Sequence, residues 1–193
     1  AGLAGGNALP HLVPATPPAD LPARFVVLHP GNSHSGGSRV NIRAWPAARW
    51  VELNRRLTAA GVATVITGAP NEAALAAEVA AGGALNLAGR TDLPTMAGVM
   101  AQAELLVCTD TGPVHIAAAV GTAVLGLYGP TRPTQTAPYG APGQVRLIRH
   151  DIECGPCYGT PRHKTCADNR CMQLITVDEV FEAVLARWNV LLA

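Results

Sequence analysis

The chain has 193 residues, of which 49% are hydrophobic, 14% charged and 4% aromatic. This length suits one ordinary domain, or at most two small ones, and the apolar content is too high for a wholly disordered chain. Fourteen basic and thirteen acidic residues leave a formal net charge of +1, which argues against a large electrostatic surface for nucleic acid or anionic lipid. The longest apolar run, Ile116 to Leu127, is too short to span a bilayer.

The start of the chain differs in composition from the rest. Residues 1–23 are rich in Gly, Pro and Ala and have no sustained periodicity, which predicts an interdomain linker or an extended arm. Regular patterns begin at Arg24. We therefore predict one domain over residues 24–193, in which a Cys-rich excursion over residues 150–173 interrupts the pattern.

Short apolar segments alternate with helical patterns after Arg24. The apolar segments are uniformly hydrophobic, as strands are when helices cover both faces of a sheet. Strands are predicted at 25–29, 62–67, 84–88, 104–108, 122–128 and 145–149, and helices at 46–60, 71–80, 93–102, 114–120 and 176–190. This alternation predicts an α/β fold with a Rossmann-like, doubly wound parallel sheet.

The most distinctive turn follows the predicted strand at 104–108. Residues 110–115 have the sequence DTGPVH and lead into a helix of small residues. In doubly wound folds, ligands bind outside the carboxyl ends of the strands. The N–H groups of Thr111 and Gly112 can bind phosphate there, whereas Asp110 suits a sugar hydroxyl. The alternative is that Asp110 or Thr111 only caps the helix.

Two other strand-to-helix turns carry candidate ligand groups. Residues 30–44 contain several serines before Arg43, whose guanidinium can donate two parallel hydrogen bonds to a diphosphate or can pair with a carboxylate. The glycines of this loop form neither a GxGxxG motif nor a P-loop. Glu72 can bind ribose hydroxyls, or it can be only an acidic residue in a first helical turn.

Four of the five cysteines lie near the carboxyl end of the chain, with the spacing C-x2-C-x8-C-x4-C. They are Cys154, Cys157, Cys166 and Cys171. Four thiolates can form a tetrahedral zinc site, but reduced thiols packed in a loop, or disulfides, are the alternatives, and no metal ligand is assigned. Cys108 lies in an apolar predicted strand, which predicts a buried hydrophobic residue.

The motifs, taken in order, resemble one protein family. They are HPG (29–31), RAWP (43–46), TGAPNE (67–72), LAGRTDL (87–93), DTGPVH (110–115), AAAVGT (117–122), LYGPTRP (127–133), PYG (138–140) and the Cys cluster ending in CMQLI (171–175). Residues 24–190 resemble the carboxyl-terminal half of the lipopolysaccharide heptosyltransferases, the glycosyltransferases of family 9 that use ADP-heptose.

This resemblance implies a GT-B architecture, in which two Rossmann-like halves enclose the active site. The half seen here would bind the nucleotide-sugar donor. The other half would bind the lipopolysaccharide core acceptor and supply the catalytic base of an inverting transfer that needs no metal. We therefore assign no catalytic residue in this chain, and we expect it to be inactive alone, cytoplasmic and peripheral at the inner face of the inner membrane.

The resemblance also implies roles for single residues on the phosphate side of the donor. Arg43 would contact the diphosphate, where the family has a basic residue that is often Lys, and Ser38 would add a hydroxyl contact. Thr111 and Gly112 would present N–H groups to phosphate, and His115 would lie beside the diphosphate.

Three further residues would contact the sugars and the base of the donor. Glu72 would bind the ribose, Leu93 would lie near the adenine, and Asp110 would accept a hydrogen bond from a sugar hydroxyl. Two other functions remain open from the sequence alone: a stand-alone nucleotide-sugar binding or regulatory module, and an interaction domain stabilised by zinc.

Overall fold

The computed structural model describes residues 10–32 and 40–190. Six parallel strands form one sheet in the order β3-β2-β1-β4-β5-β6. The strands are β1 (Val26–His29), β2 (Thr64–Ile66), β3 (Leu85–Asn86), β4 (Leu105–Thr109), β5 (Val124–Leu127) and β6 (Val145–Ile148). All six predicted strands are present, and the predicted Rossmann-like α/β fold is confirmed.

Helices connect the strands and cover both faces of the sheet. They are α1 (Ala47–Ala59), α2 (Ala73–Ala80), α3 (Leu93–Gln102), α4 (Pro113–Ala119), α5 (Pro133–Thr136), α6 (Pro161–Lys164), α7 (Arg170–Gln173) and α8 (Val177–Val190). The five predicted helices correspond to α1, α2, α3, α4 and α8. The short helices α5, α6 and α7 were not predicted, because a single turn shows no periodicity. Within residues 10–32 and 40–190, each helix is too short or too polar to span a bilayer.

Two buried apolar clusters hold the helices on the sheet. On one face, α1, α2 and α8 pack around Trp50, Leu53 and Val184, each fully buried. On the other face, α3 and α4 pack around Met100 and Val114, which are also fully buried. The strands are therefore enclosed on both sides, which explains their uniformly apolar sequences.

The strand order places the end of β1 beside the end of β4. The chain crosses to one side of β1 through β2 and β3, and to the other side through β4, β5 and β6. This arrangement opens a crevice at the carboxyl ends of β1 and β4, where doubly wound folds bind ligands. His29 ends β1 next to Cys108 of β4 in the sheet register.

The described part of the amino-terminal segment, residues 10–23, lies against α3 and α4 without forming helix or strand. The N–H of Ala15 donates to the carbonyl oxygen of Pro94 at 3.0 Å. A Cβ on Gly98 would lie 2.0 Å from the Ala15 oxygen, so the segment reaches α3 only because Gly98 has no side chain. The interdomain linker role of residues 1–23 remains a prediction.

Candidate functional site

The carboxyl ends of β1, β2 and β4 surround a cleft of about 780 Å³. Five residues predicted from the sequence line it: Glu72, Leu93, Thr111, Gly112 and His115. Its volume is in the range of small-molecule and cofactor sites. Two other concavities, each of about 510 Å³, contain none of the predicted site residues.

Glu72 is held in the cleft by its local backbone. Its Oε2 accepts a hydrogen bond from the N–H of Ala69 at 2.7 Å. Gly31 passes directly beside the carboxylate, since a Cβ on Gly31 would lie 2.2 Å from the Glu72 carboxyl carbon. Glu72 is therefore an acidic residue in a first helical turn, as the alternative held, and the same residue also lines the cleft.

His29 lies in the floor of the cleft and is 5% exposed. Its Nδ1 lies 2.9 Å from Oγ1 of Thr67, and its Nε2 lies 3.7 Å from Oε2 of Glu72. Burial lowers the pKa of His29 to about 4, because the charged imidazolium would lose its hydration. The imidazole is thus neutral at pH 7, and its contact with Glu72 is not an ion pair at that pH.

Arg43 lies beside the turn that follows β4. Its Nη1 donates to the carbonyl oxygen of Asp110 at 2.8 Å. Asp110 directly precedes Thr111 and Gly112, so this bond holds the guanidinium next to the turn that lines the cleft. Within residues 10–32 and 40–190, the N–H groups of Thr111 and Gly112 donate no hydrogen bond. A cation and two available donors therefore meet at one edge, an arrangement that suits an anion.

Asp110 is buried, with 6% exposure, and is not among the residues that line the cleft. Burial raises the pKa of Tyr128, and the Asp110 carboxylate adds to this rise. Tyr128 itself donates from its hydroxyl to the carbonyl oxygen of Thr136 at 3.1 Å. Helix α4 has no side-chain cap in the described residues, so the capping alternative for Asp110 and Thr111 is not observed.

The remaining predicted residues differ in their placement. Leu93 is 66% exposed in the first turn of α3, at the cleft, where Asp92 caps the helix by accepting from the Thr95 N–H at 2.8 Å. His115 lies in α4 and lines the same cleft. Ser38 lies outside the described residues. The roles assigned to all of them remain predictions.

The sequence matches one known protein family. The model of glycosyltransferase family 9 (heptosyltransferase) matches residues 13–167. The chain belongs to this family. The resemblance to heptosyltransferases that was inferred from the ordered motifs is therefore confirmed.

Curated heptosyltransferases match parts of this family 9 chain. Lipopolysaccharide heptosyltransferase 1 of Pseudomonas aeruginosa is 40% identical over 126 residues, which are 63% of this chain and 33% of that protein. Lipooligosaccharide heptosyltransferase 2 of Campylobacter jejuni is 30% identical over 99 residues, 50% of this chain and 30% of that protein. The matched segments thus span about a third of these curated relatives.

Solved structures match the fold of the family 9 chain. ADP-heptose lipopolysaccharide heptosyltransferase II of Escherichia coli matches with a TM-score of 0.70 and 26% identity, over 89% of this chain and 48% of that chain. E. coli heptosyltransferase WaaC with ADP matches with a TM-score of 0.64 and 23% identity, over 89% of this chain and 46% of that chain, a likeness of fold alone. The chain therefore spans about half the length of these structures.

Three residues that the sequence did not assign to the site lie in the cleft or contact the segment around Arg43. His29 could have been found, since it is a polar residue that ends an apolar strand at the ligand-binding edge. Tyr158 places its ring centroid 5.3 Å from Cζ of Arg43. Asn169 donates from Nδ2 to the carbonyl oxygen of Ala44 at 2.8 Å. Nothing local in the sequence connects Tyr158 or Asn169 with Arg43.

The five cysteines of the chain are free thiols. Cys108 is fully buried, which confirms its predicted place in the core. Burial raises the pKa of Cys171 to about 11 and also raises the pKa of Cys157, so both thiols are protonated at neutral pH. No group of three or more His, Cys, Asp or Glu side chains in the described residues is placed to share a metal ion.

Proposed function

We propose that this chain is the carboxyl-terminal, donor-binding half of an inverting GT-B glycosyltransferase that transfers heptose from ADP-heptose to a lipopolysaccharide core acceptor. The observation that carries the proposal is that Glu72, Thr111 and Gly112 line one cleft, while Arg43 is bonded to the carbonyl oxygen of Asp110 at the edge of that cleft, in a chain of the heptosyltransferase family. A carboxylate beside a cation and exposed N–H groups suits a ribose joined to a diphosphate.

The geometry supports a definite orientation for the donor. Glu72 takes the ribose hydroxyls, and the exposed side chain of Leu93 contacts the adenine at the mouth of the cleft. The diphosphate lies at the other end, between Arg43 and the N–H groups of Thr111 and Gly112. His115 flanks the diphosphate, Ser38 adds a hydroxyl contact, and Asp110 accepts a hydrogen bond from a sugar hydroxyl.

Catalysis by this half consists of stabilising ADP as it departs. Negative charge develops on the β-phosphate while the bond to the sugar breaks, and donors already aimed at that position lower the barrier. Arg43 and the turn at 111–112 supply such donors. A carboxylate of an acceptor-binding half is proposed to take the proton from the acceptor hydroxyl, and no metal is required. The enzyme would act in the cytoplasm, at the inner face of the inner membrane.

Calorimetry with ADP and AMP tests this proposal. Because AMP lacks the β-phosphate, the wild-type chain should bind ADP more tightly, and Arg43→Ala should weaken ADP binding by about tenfold or more with little effect on AMP. Arg55→Ala is the matched control, because Arg55 pairs with Glu52 on the exposed face of α1. Equal affinity of the folded wild-type chain for ADP and AMP would contradict the diphosphate assignment.

Transfer is tested separately with ADP-heptose and a heptose-free lipopolysaccharide core. We expect this chain alone to bind the donor and to release no ADP into solution beyond the rate of spontaneous hydrolysis. Acceptor-dependent release of ADP would show that the base lies within this chain, and the assignment of catalysis to two halves would then be wrong.

A further inference from the structure

The Cys-rich excursion, residues 150–173, packs against the end of the sheet that carries the cleft. The N–H groups of Cys157 and Tyr158 both donate to the carbonyl oxygen of Pro130, each at 2.9 Å. A Cβ on Gly129 would lie 2.8 Å from Sγ of Cys171, so the excursion touches the backbone that follows β5. These contacts hold the excursion against the backbone that follows β5.

Tyr158 is the first point of contact between the excursion and that turn. Its ring centroid lies 5.3 Å from Cζ of Arg43, within the range of a cation–π interaction. The ring of His163 stacks on Tyr158 with 5.8 Å between centroids and 24° between planes. The aromatic ring facing the guanidinium is therefore itself supported from within the excursion.

Asn169 is the second point of contact. Its Nδ2 donates to the carbonyl oxygen of Asn41 at 3.2 Å and to that of Ala44 at 2.8 Å. These carbonyl groups lie on either side of Arg43 in the chain, so one amide fixes the backbone around it. Asn169 has the left-handed backbone conformation, with φ of 37°, which asparagine adopts more readily than most residues.

We propose that the Cys-rich excursion is a positioning element for Arg43, in which Tyr158 orients the guanidinium and Asn169 fixes the backbone of residues 41–44. The inference rests on the proposed contact of Arg43 with the donor diphosphate. Tyr158 and Asn169 are positioning residues, because each acts through Arg43. A long, flexible side chain held in place before the donor arrives loses less conformational freedom on binding, which favours affinity.

Binding measurements on the whole chain test the proposal. Tyr158→Ala should weaken ADP binding by about two- to fivefold, as expected for loss of one cation–π contact, whereas Tyr158→Phe should retain wild-type affinity because it keeps the ring. Asn169→Gly, which keeps the left-handed backbone and removes the amide, should weaken ADP binding by about threefold or more. AMP binding should stay unchanged in all three variants.

A double-mutant comparison separates positioning from general damage. If both residues act through Arg43, Tyr158→Ala and Asn169→Gly should cost no further ADP affinity in the Arg43→Ala background. Tyr139→Ala is the matched control, since Tyr139 is 78% exposed and lies in the separate loop before β6. A loss of ADP affinity that is as large without Arg43 as with it would overturn the proposal.

The Nε–Hε nuclear magnetic resonance signal of Arg43, assigned by its loss in Arg43→Ala, gives a readout without any ligand. The fast motion of the Arg43 Nε–Hε bond should increase in Tyr158→Ala and Asn169→Gly. It should stay unchanged in Tyr139→Ala. An Arg43 signal that is equally ordered in all variants would overturn the positioning role. The two proposals can fail separately. If the Arg43 side chain becomes more mobile in the variants as expected, but the wild-type chain does not bind ADP more tightly than AMP, the diphosphate assignment is wrong and the positioning role stands.

Discussion

The two ends of the cleft are built in different ways. At the Glu72 end, the carboxylate is held by the N–H of Ala69, only three residues earlier, and lies over Gly31. At the Arg43 end, the contacts come from Asp110 and from the Cys-rich excursion, all distant in sequence. The Glu72 carboxylate is therefore held partly by a local turn, whereas the contacts named for Arg43 all join distant segments of the chain.

This difference has consequences for stability and for binding. The Glu72 end includes His29, which is buried in the sheet, so changes to His29 should affect folding as well as affinity. The Arg43 end lies on loops, where changes should affect affinity more than folding. Mutations at the two ends should therefore differ in how much they change folding stability and how much they change ligand affinity.

The largest expected effect is on the pH dependence of stability at the Glu72 end. The folded chain holds the pKa of His29 near 4, below the ordinary value of 6.5. As the pH falls through 6.5, the unfolded chain takes up a proton at this residue that the folded chain does not. The free energy of unfolding should therefore decrease by about 3 kcal/mol between pH 7 and pH 4 on account of His29.

Urea unfolding at several pH values, in the wild-type chain and in His29→Gln, measures this contribution. Glutamine retains a hydrogen-bonding side chain but does not titrate, so the two chains should differ mainly in how steeply their stability falls. The other titrating groups are common to both chains and cancel in the comparison. Parallel pH profiles would show that His29 takes up its proton without unfolding the floor of the cleft.

Gly31→Ala should have the next largest effect, and mainly on binding. The new Cβ would occupy the position of the Glu72 carboxylate and force it out of the cleft. We expect ADP affinity to fall by about tenfold, as for loss of hydrogen bonds to a charged acceptor. In the Glu72→Ala background the space is already empty, so Gly31→Ala should cost little there. An equal loss in both backgrounds would mean that Gly31 is needed for a different reason.

The two ends also differ in how far the sequence predicts them. The strands and the five longer helices follow from apolar runs and helical periodicity, and the turn at 110–115 follows from its place after a strand. The contacts of Tyr158 and Asn169 with the Arg43 turn leave no pattern in the sequence, because they form between segments that meet only in the folded chain. Gly31 lies in a predicted loop, but only the structure shows that it makes room for Glu72.

Gly112→Ala should have the smallest effect and should separate binding from folding at the Arg43 end. A Cβ on Gly112 would meet no atom within 4 Å, and the backbone is already helical, with φ of −46° and ψ of −42°. Alanine should therefore stabilise the fold by about 0.5 kcal/mol, because it restricts the unfolded chain. Its methyl group would enter the cleft where the phosphate is proposed to approach, so ADP affinity should fall by about threefold. Thermal unfolding and calorimetry on the same variant measure both effects. At Gly31 the missing side chain makes room for another side chain, whereas at Gly112 it is proposed to make room for the ligand. Unchanged ADP affinity in Gly112→Ala would contradict phosphate binding at this turn.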